Sequence, residues 1–397
     1  MLDINTLKPT GIALEESPSA GVVGASGSAC RIGRVLHVIN GEHYSGAERV
    51  QDLLAGRLPE FGFEAGLACV KPSRFPLAYR SRDALLFSTP MKSKWDLRPV
   101  RQIVQLVRGG RFDLVHAHTP RTALIGAMAA ALARVPLVCH VHSPAAREST
   151  SALRNLAGAM VGHFGFRRAA ALIAVSQSIG RRLGRWSRFR DRVFVVANGV
   201  PGRKPRPARA AGETRWTLGT IGLFRPRKGL EVLLQSLALL RWKGVPVVLR
   251  AVGEFETPEY RRHVLARADA LGLAESIEWT GFVRDIDRQL ARMDVFVLPS
   301  LFGEGLPMVV LEAMAGGVPV VATCVEGTPE AIRHGQDGVL VEPGNPRALA
   351  EAISQLLRGQ FDWEALRSSA LRRHEECFSD RSMTAGVAEV YRRILGR

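Results

Sequence analysis

The chain has 397 residues, 46% of them hydrophobic, so it is long enough for two domains and too apolar for a disordered protein. Its net charge is +17, and no stretch reaches the roughly 18 apolar residues that a membrane-spanning helix needs. The five cysteines are scattered, without the C-x-x-C spacing of zinc sites, which favours a reducing, cytoplasmic location. Residues 1–30 lack the basic start of a signal peptide, and their Ser, Gly, Ala and Pro content predicts a disordered tail.

The first half of the chain alternates short β-rich segments with amphipathic helical segments, a pattern typical of parallel α/β sheets. Strands are predicted at residues 34–39, 113–116, 137–142, 171–175 and 193–196, and helices at 47–58, 99–107 and 122–133.

A second series of the same kind follows residues 201–214, whose Pro, Arg, Gly and Ala content predicts a linker. A last helix at 383–395 carries one apolar face that must pack against another part of the protein. Two Rossmann-like sheets in tandem leave a cleft, and their ligands bind beyond the carboxyl ends of the strands. The predicted strands are 218–224, 247–252, 276–279, 295–298, 318–322 and 339–341, and the helices 230–242, 258–271, 285–292, 308–315 and 346–357.

The basic excess is confined to the first half: residues 31–200 hold 26 Lys or Arg against 10 Asp or Glu, whereas residues 201–397 hold 27 against 24. This asymmetry predicts an anionic membrane surface or a charged glycan as partner, with a simple solvated basic surface as the alternative. Arginines and aromatic residues alternate between residues 181 and 192 and fit an anionic membrane. No nucleic-acid motif accompanies them, so nucleic acid is not expected.

Two carboxylates stand out between residues 302 and 322. Glu312 is the only charged residue from 305 to 325, and burying a lone carboxylate is costly unless it has a hydrogen-bond partner. A ligand or an arginine of the protein itself would serve. Glu304 lies on a glycine-flanked loop before the predicted helix, where free backbone N–H groups favour anions or sugar hydroxyls.

A glycine-lined turn at residues 222–229 carries Arg225, Arg227 and Lys228. Several cations in such a turn fit a clamp for a diphosphate leaving group. An exposed basic turn without a ligand is the alternative.

Histidines gather in the first half as two H-x-H pairs, His116 with His118 and His140 with His142. Alternation along a strand places both members of a pair on one face without implying a metal. No cysteine or carboxylate completes either pair, so no metal site is predicted. The D-x-D sequence at residues 285–287 reads as a helix N-cap and not as a metal site. His142 ends its predicted strand and faces the expected cleft.

The Glu304-x7-Glu312 spacing, with Gly305, Leu306 and Pro307 after the first glutamate, resembles the signature of retaining family-4 glycosyltransferases with the GT-B fold. Segments at residues 45–50, 113–118, 198–200, 294–300 and 327–330 also fall in the family's order. The resemblance implies an acceptor domain at residues 31–203 and a nucleotide-sugar donor domain at 204–378. It also implies a C-terminal helix, 379–397, that crosses back to the first domain.

The resemblance implies a role for each candidate residue. Glu304 and His142 would be catalytic, with Glu304 against the donor sugar, and Glu312 would bind the ribose of the nucleotide. Lys228 would bind phosphate; the family's partner arginine is replaced by Leu223, so Arg225 or Arg227 would substitute. The loop formed by Gly305, Leu306 and Pro307 would hold the donor, and the acceptor or phosphate loop would comprise Ser45, Gly46 and Glu48 together with His118.

The activity that this implies is transfer of a sugar from a nucleotide-diphosphate sugar to a lipid-linked acceptor or growing polysaccharide. Anomeric configuration would be retained, and no obligate metal or other cofactor is expected. The enzyme would be cytoplasmic, either free or peripheral on the inner face of the plasma membrane. Two alternatives stay open: a nucleotide-sugar epimerase of the same architecture, and a non-catalytic basic protein that binds membrane surfaces.

Overall fold

A computed structural model describes residues 31–93, 96–143, 162–205 and 214–397. The predicted tail and residues 206–213 of the predicted linker lie outside these ranges. The chain forms two parallel β-sheets whose faces are covered by helices, and the cores on either face are built from strand and helix side chains together.

The first sheet has seven parallel strands in the spatial order β3-β2-β1-β4-β5-β6-β7. The strand order reverses between β1 and β4, and ligands of such sheets bind beyond the carboxyl ends at this point. The strands are β1 (Gly33–Ile39), β2 (Phe63–Cys69), β3 (Leu85–Ser88), β4 (Leu114–Ala117), β5 (Leu137–Val141), β6 (Ala171–Ala174) and β7 (Val193–Val195).

Two helices of the first half begin at side-chain caps, which satisfy backbone N–H groups that have no partner inside a helix. The Thr119 and Ser176 side chains each accept a hydrogen bond from the backbone N–H three residues on. The labelled helices are α1 (Gly46–Arg57), α2 (Phe75–Ala78), α3 (Arg98–Gly109), α4 (Pro120–Ala133) and α5 (Gln177–Gly184), and residues 162–168 are also helical.

The second sheet has six parallel strands in the order β10-β9-β8-β11-β12-β13, again with a reversal, between β8 and β11. Its strands are β8 (Trp216–Ile221), β9 (Val247–Val252), β10 (Ile277–Gly281), β11 (Val295–Leu298), β12 (Val320–Thr323) and β13 (Val339–Val341).

The turn after β8 carries Lys228 and the loop after β11 carries Glu304, which places both residues beyond the carboxyl ends of these strands. None of the helices in the described parts of the chain is long and apolar enough to cross a bilayer. The helices are α6 (Leu230–Trp242), α7 (Pro258–Ala270), α8 (Ile286–Leu290), α9 (Met308–Ala315), α10 (Thr328–Ala331), α11 (Pro346–Leu357), α12 (Trp363–Cys377) and α13 (Asp380–Leu395).

Several elements, among them β2, β3 and α12, are not predicted from the sequence. Strand β2 contains Glu64, Ala65 and Gly66, which are poor strand formers, and a side chain at Gly66 would collide with Phe112. Helix α12 buries only Leu366, Ala370 and His374, so its apolar periodicity is weak.

The C-terminal helix α13 crosses back and packs on the first domain. Tyr391 is fully buried there, in edge contact with Phe63 (ring centroids 5.3 Å apart), and its hydroxyl lies 2.5 Å from Nδ1 of His116. At the start of the helix, Asp380 accepts a hydrogen bond of 2.8 Å from Nε of Arg57 on α1. The structure thus confirms the predicted two-domain α/β architecture and its returning helix.

Replacing Tyr391 with Phe should lower the free energy of unfolding by about 1–3 kcal/mol, because the buried His116 nitrogen loses its hydrogen-bond partner. Urea unfolding followed by circular dichroism measures the change. Tyr79→Phe on the cleft wall is the matched control and should stay within about 0.5 kcal/mol of wild type. A Tyr391→Phe variant as stable as the control would contradict this account of the helix.

Candidate active site

A cleft of about 1000 Å³ lies between the carboxyl ends of the two sheets. It brings together most of the site residues predicted from sequence, although these are spread over more than 250 positions. The predicted residues that line it are Ser45, Gly46, His142, Arg225, Arg227, Lys228, Glu304, Gly305, Leu306 and Pro307.

Glu304 and Lys228 form the polar centre of the second-domain side of the cleft, where the donor is expected. Nζ of Lys228 donates to Oε1 of Glu304 at 2.6 Å, and the Ser300 hydroxyl donates to the same oxygen at 2.6 Å. Burial alone would raise the pKa of Glu304, but the charges of Lys228 and Arg227 and these hydrogen bonds outweigh it, so its pKa lies below the ordinary value. The site therefore holds a carboxylate beside an ammonium group.

Arg227 and Arg225 both lie near this pair. Nη1 of Arg227 is 3.6 Å from the Glu304 carboxylate and donates to the backbone oxygen of Gly303 at 3.1 Å. Arg225 pairs with Glu256 at 3.4 Å. Of the two candidates for the arginine missing at Leu223, Arg227 is therefore the one that touches the Lys228–Glu304 pair.

Glu312 is fully buried in α9 and does not line the cleft. Arg49 of α1 binds both of its oxygens, one at 2.9 Å, and Nη2 of Arg203 donates to Oε1 at 2.8 Å. Both arginines line the cleft. The sequence left open whether a ligand or an arginine of the protein partners Glu312. In the structure the partners are arginines, and their contacts join the first domain to the second.

Arg49 and Arg203 themselves sit among like charges. The pKa of Arg203 is lowered to about 9, mainly by burial and to a smaller extent by the positive charges of Arg49 and Arg80. Burial also lowers the pKa of Arg49. Carboxylates offset this repulsion, because Arg49 pairs with Glu312 and Arg203 pairs with both Glu312 and Asp287.

The first-domain side of the cleft, where the acceptor is expected, includes the N-terminus of α1. Ser45 caps this helix, and Glu48 accepts hydrogen bonds from the Ser45 hydroxyl (2.8 Å) and the Ser45 backbone N–H (3.3 Å). Ser45 and Gly46 line the cleft, whereas Glu48 is buried and holds the cap. Glu48 thus shapes the predicted phosphate loop and does not face the cleft.

The two domains are in close contact at Gly305. A Cβ atom at this position would lie 1.9 Å from the backbone oxygen of His142, so only glycine fits. Beside it, the Asn198 amide donates to the backbone oxygen of Leu306 at 2.9 Å. Glu330 accepts hydrogen bonds of 2.6 and 2.7 Å from two backbone N–H groups at the start of α5. These contacts place His142 directly against the donor loop.

His142 is held by a second histidine. Its Nε2 lies 3.2 Å from Nδ1 of His118, and Nε2 of His118 lies 3.0 Å from Nδ1 of His37. Burial lowers the pKa of His142 to about 3, so its ring is neutral at neutral pH. The expectation that His118 lines the cleft edge is wrong: only 2% of it is exposed, because its ring is stacked between those of His37 and His142.

Some cleft residues were missed by sequence reasoning. Arg49 lies in the 45–50 segment but was not singled out, and Arg203 falls in a stretch that reads only as linker. Asp52 accepts hydrogen bonds from the Tyr44 hydroxyl and from the backbone of Arg80 and Ser81, which fixes the cleft wall. No local pattern signals such contacts, because their partners are distant in sequence.

The lining of the cleft is basic. Among the described residues that line it, ten are cationic and five are acidic. The cationic residues are Arg49, Arg57, Arg74, Arg80, Arg82, Arg203, Arg225, Arg227, Lys228 and Arg284.

The D-x-D sequence at residues 285–287 begins a helix, as predicted. The Asp285 side chain caps α8 by accepting a hydrogen bond of 3.0 Å from the Arg288 N–H.

Comparisons with known proteins agree with this geometry. The family model "Glycosyltransferase Family 4" matches residues 44–202, and "Glycosyl transferases group 1" matches residues 215–359. The chain is 30% identical to the phosphatidyl-myo-inositol mannosyltransferase of Mycobacterium leprae, over 80% of this chain and 84% of that protein. It is 32% identical to the D-inositol 3-phosphate glycosyltransferase of Streptomyces scabiei, over 72% of this chain and 68% of that protein.

A solved structure supports the fold. The crystal structure of Anabaena Alr3699/HepE in complex with UDP-glucose superposes with a TM-score of 0.80 at 23% identity, covering 90% of this chain and 99% of that chain. At this identity the likeness shows the GT-B fold alone. The family models and the curated relatives carry the assignment further: the chain belongs to the family-4 glycosyltransferases.

Proposed function

We propose that this glycosyltransferase moves a sugar from a nucleoside-diphosphate sugar to a phosphate-bearing acceptor, with retention of anomeric configuration. The observation that carries the proposal is the Lys228–Glu304 pair, buried beside Arg227 at the edge of a basic cleft. The UDP-glucose complex of Anabaena Alr3699/HepE, which has the same fold, supports a nucleoside-diphosphate sugar as donor.

The chemistry follows from the charges on the donor side. The bond between the sugar C1 and the diphosphate breaks, and the acceptor oxygen bonds to C1 from the same face. The proton of the acceptor hydroxyl passes to the departing diphosphate. Lys228 and Arg227 stabilise the negative charge that develops there, and Glu304 orients the sugar hydroxyls. The His142 backbone oxygen packs against Gly305 of the donor loop, and the neutral His142 ring lines the cleft without adding charge beside the sugar and acceptor.

Donor binding requires a change at Glu312. Its carboxylate accepts hydrogen bonds from Arg49 and Arg203, so the ribose hydroxyls can reach it only when at least one arginine withdraws. The freed arginine then lies in the cleft lining, close to where a phosphate enters. The Arg49–Glu312 contact therefore competes with the nucleotide and links donor entry to separation of the domains.

The acceptor side favours an anionic group. Arg74, Arg80 and Arg82 lie exposed along the first-domain wall of the cleft. Both curated relatives have a phosphorylated inositol in their names, which supports a phosphate on the acceptor. Lipid-linked phosphates and phosphorylated glycans both fit this chemistry.

Replacing Lys228 with Met should lower kcat with the preferred nucleotide sugar by about 100-fold or more, because one preorganised cation at the leaving group is lost. A panel of nucleotide sugars with candidate phosphorylated acceptors, analysed by mass spectrometry, provides the assay. Lys243→Met is the matched control; Lys243 is exposed and pairs with Glu351, far from the cleft.

Anomeric configuration of the product is read by NMR from the coupling of the anomeric proton. Inversion would contradict retention while leaving the transferase assignment intact. Epimerised donor formed without an acceptor would favour the epimerase, and a protein that binds no nucleotide sugar would overturn the proposal.

Replacing Arg49 with Met should tighten binding of the nucleoside diphosphate by about three- to tenfold, because removal of a competing ion pair is worth roughly 1 kcal/mol. Isothermal titration calorimetry measures the affinity. Arg82→Met is the matched control, since Arg82 lines the cleft without contacting Glu312. Weaker binding by Arg49→Met, with Arg82→Met unchanged, would show that Arg49 holds the nucleotide and does not compete with it.

A lipid-linked acceptor predicts binding to anionic vesicles at low salt and release at high salt. The exposed arginines around Trp186, itself 53% exposed, would contact the lipid headgroups. The double variant Arg185→Gln/Arg188→Gln should bind anionic vesicles at least about tenfold more weakly, at roughly 1 kcal/mol per arginine. Arg261→Gln/Arg262→Gln on α7 is the matched control and should bind like wild type. Sedimentation indifferent to salt and to lipid charge would sink the membrane role.

A further inference from the structure

Five histidines form one continuous cluster on a single face of the first sheet, defined here as the histidine column: His37, His116, His118, His140 and His142. Strands β1, β4 and β5 lie side by side, and the register pairs His37 with His116 and Ala117 with Cys139. The column runs from Tyr391 under the C-terminal helix to the cleft.

The two H-x-H pairs meet in the outer half of this column. His118, at the end of β4, lies beside His140 and His142 of the β5 segment, with ring centroids 5.5 Å from both. One ring nitrogen from each of the three lies within 4.8 Å of the others. Neither H-x-H pair offers three histidines alone, but His118 from the neighbouring strand adds a third to His140 and His142.

The ring nitrogens of this triad are poorly satisfied by the protein. His140 is 2% exposed, yet neither of its ring nitrogens has a hydrogen-bond partner, and Nδ1 of His142 is also buried without one. Buried polar atoms without partners are rare because each costs about 1–3 kcal/mol, so they point to a bound water or ion.

We propose that His118, His140 and His142 bind one divalent first-row transition ion, such as zinc. Two nitrogens on one tetrahedral zinc ion are separated by about 3.3 Å, since each Zn–N bond is about 2.0–2.1 Å. The observed 3.2 Å between Nδ1 of His118 and Nε2 of His142 matches this separation. Imidazole nitrogens favour zinc, nickel, cobalt or copper over magnesium or calcium.

A second triad of histidines lies deeper in the column, and access from solvent distinguishes the two. His37, His116 and His118 also lie within 4.8 Å of one another, but all three are buried, and Tyr391 already occupies Nδ1 of His116. His142 lines the cleft, so an ion reaches the outer triad from solvent.

The site has a consequence for the active-site histidine. Coordination would fix the ring of His142 and commit its Nε2 to the metal, which makes the ion a positioning element beside the donor loop. The expectation that catalysis needs no obligate metal is compatible with this, because the ion would bind to the acceptor domain and not to the diphosphate.

Binding is tested on full-length protein without a histidine tag, stripped with a chelator and titrated with Co²⁺. We expect one equivalent per chain, with the visible absorption of a four-coordinate cobalt site and a higher melting temperature in the presence of zinc. His140→Gln and His142→Ala should each weaken binding at least about tenfold. His263→Gln, an exposed histidine of the second domain, is the matched control and should bind like wild type.

Circular dichroism of the metal-free variants shows whether each one folds, and His142→Ala, at the rim of the column, serves if His140→Gln does not. Loss of binding in His37→Gln but not in the outer variants would place the ion in the inner triad and overturn the proposal. No cobalt spectrum, or equal binding by all variants, would overturn it as well. These readouts do not depend on transferase activity, so the metal site and the proposed function fail separately.

Discussion

The closed arrangement of the two domains depends on one buried carboxylate. Glu312 lies in an apolar helix of the second domain, where an unpaired charge would be strongly unfavourable, and its partners are Arg49 of the first domain and Arg203. If the arginines moved away, the buried Glu312 charge would be left uncompensated. Separation of the domains therefore needs another partner for this carboxylate. In the proposed function, the ribose hydroxyls of the nucleotide would be that partner, and the same carboxylate would then serve both the domain contact and donor binding.

Further contacts between the two domains line or flank the same cleft. Gly305 packs on the His142 backbone without room for a side chain, and Glu330 caps α5 across the interface. Lys228 and Glu304 are already paired in the donor site. The polar groups that would act on a donor are thus held in place by one another, and a donor would exchange these partners for its own phosphates and hydroxyls.

Most strands, most helices and the main site residues were predicted from the sequence. The elements and contacts that were not predicted lack a local sequence pattern. Buried parallel strands such as β11 are nearly continuous apolar segments, and the Glu304-x7-Glu312 spacing lies within one loop and helix, so both were predicted. Strand β2, with its glycine and alanine, and the polar helix α12 lack such patterns. The contact between Arg49 and Glu312 joins residues 263 positions apart, and only the assembled fold reveals it. His118 was misplaced because strand alternation gives its face but not what stacks on it.

The returning helix α13 also sets the order in which the protein can be made. Tyr391 completes the core of the first domain, yet in the sequence it follows every strand of the second domain and so leaves the ribosome after them. Until this helix has been synthesised, the face of the first sheet formed by Phe63 and His116 lacks its cover. The first domain, although its strands are translated first, can therefore finish folding only after the second domain has been synthesised, and the two domains mature as one unit.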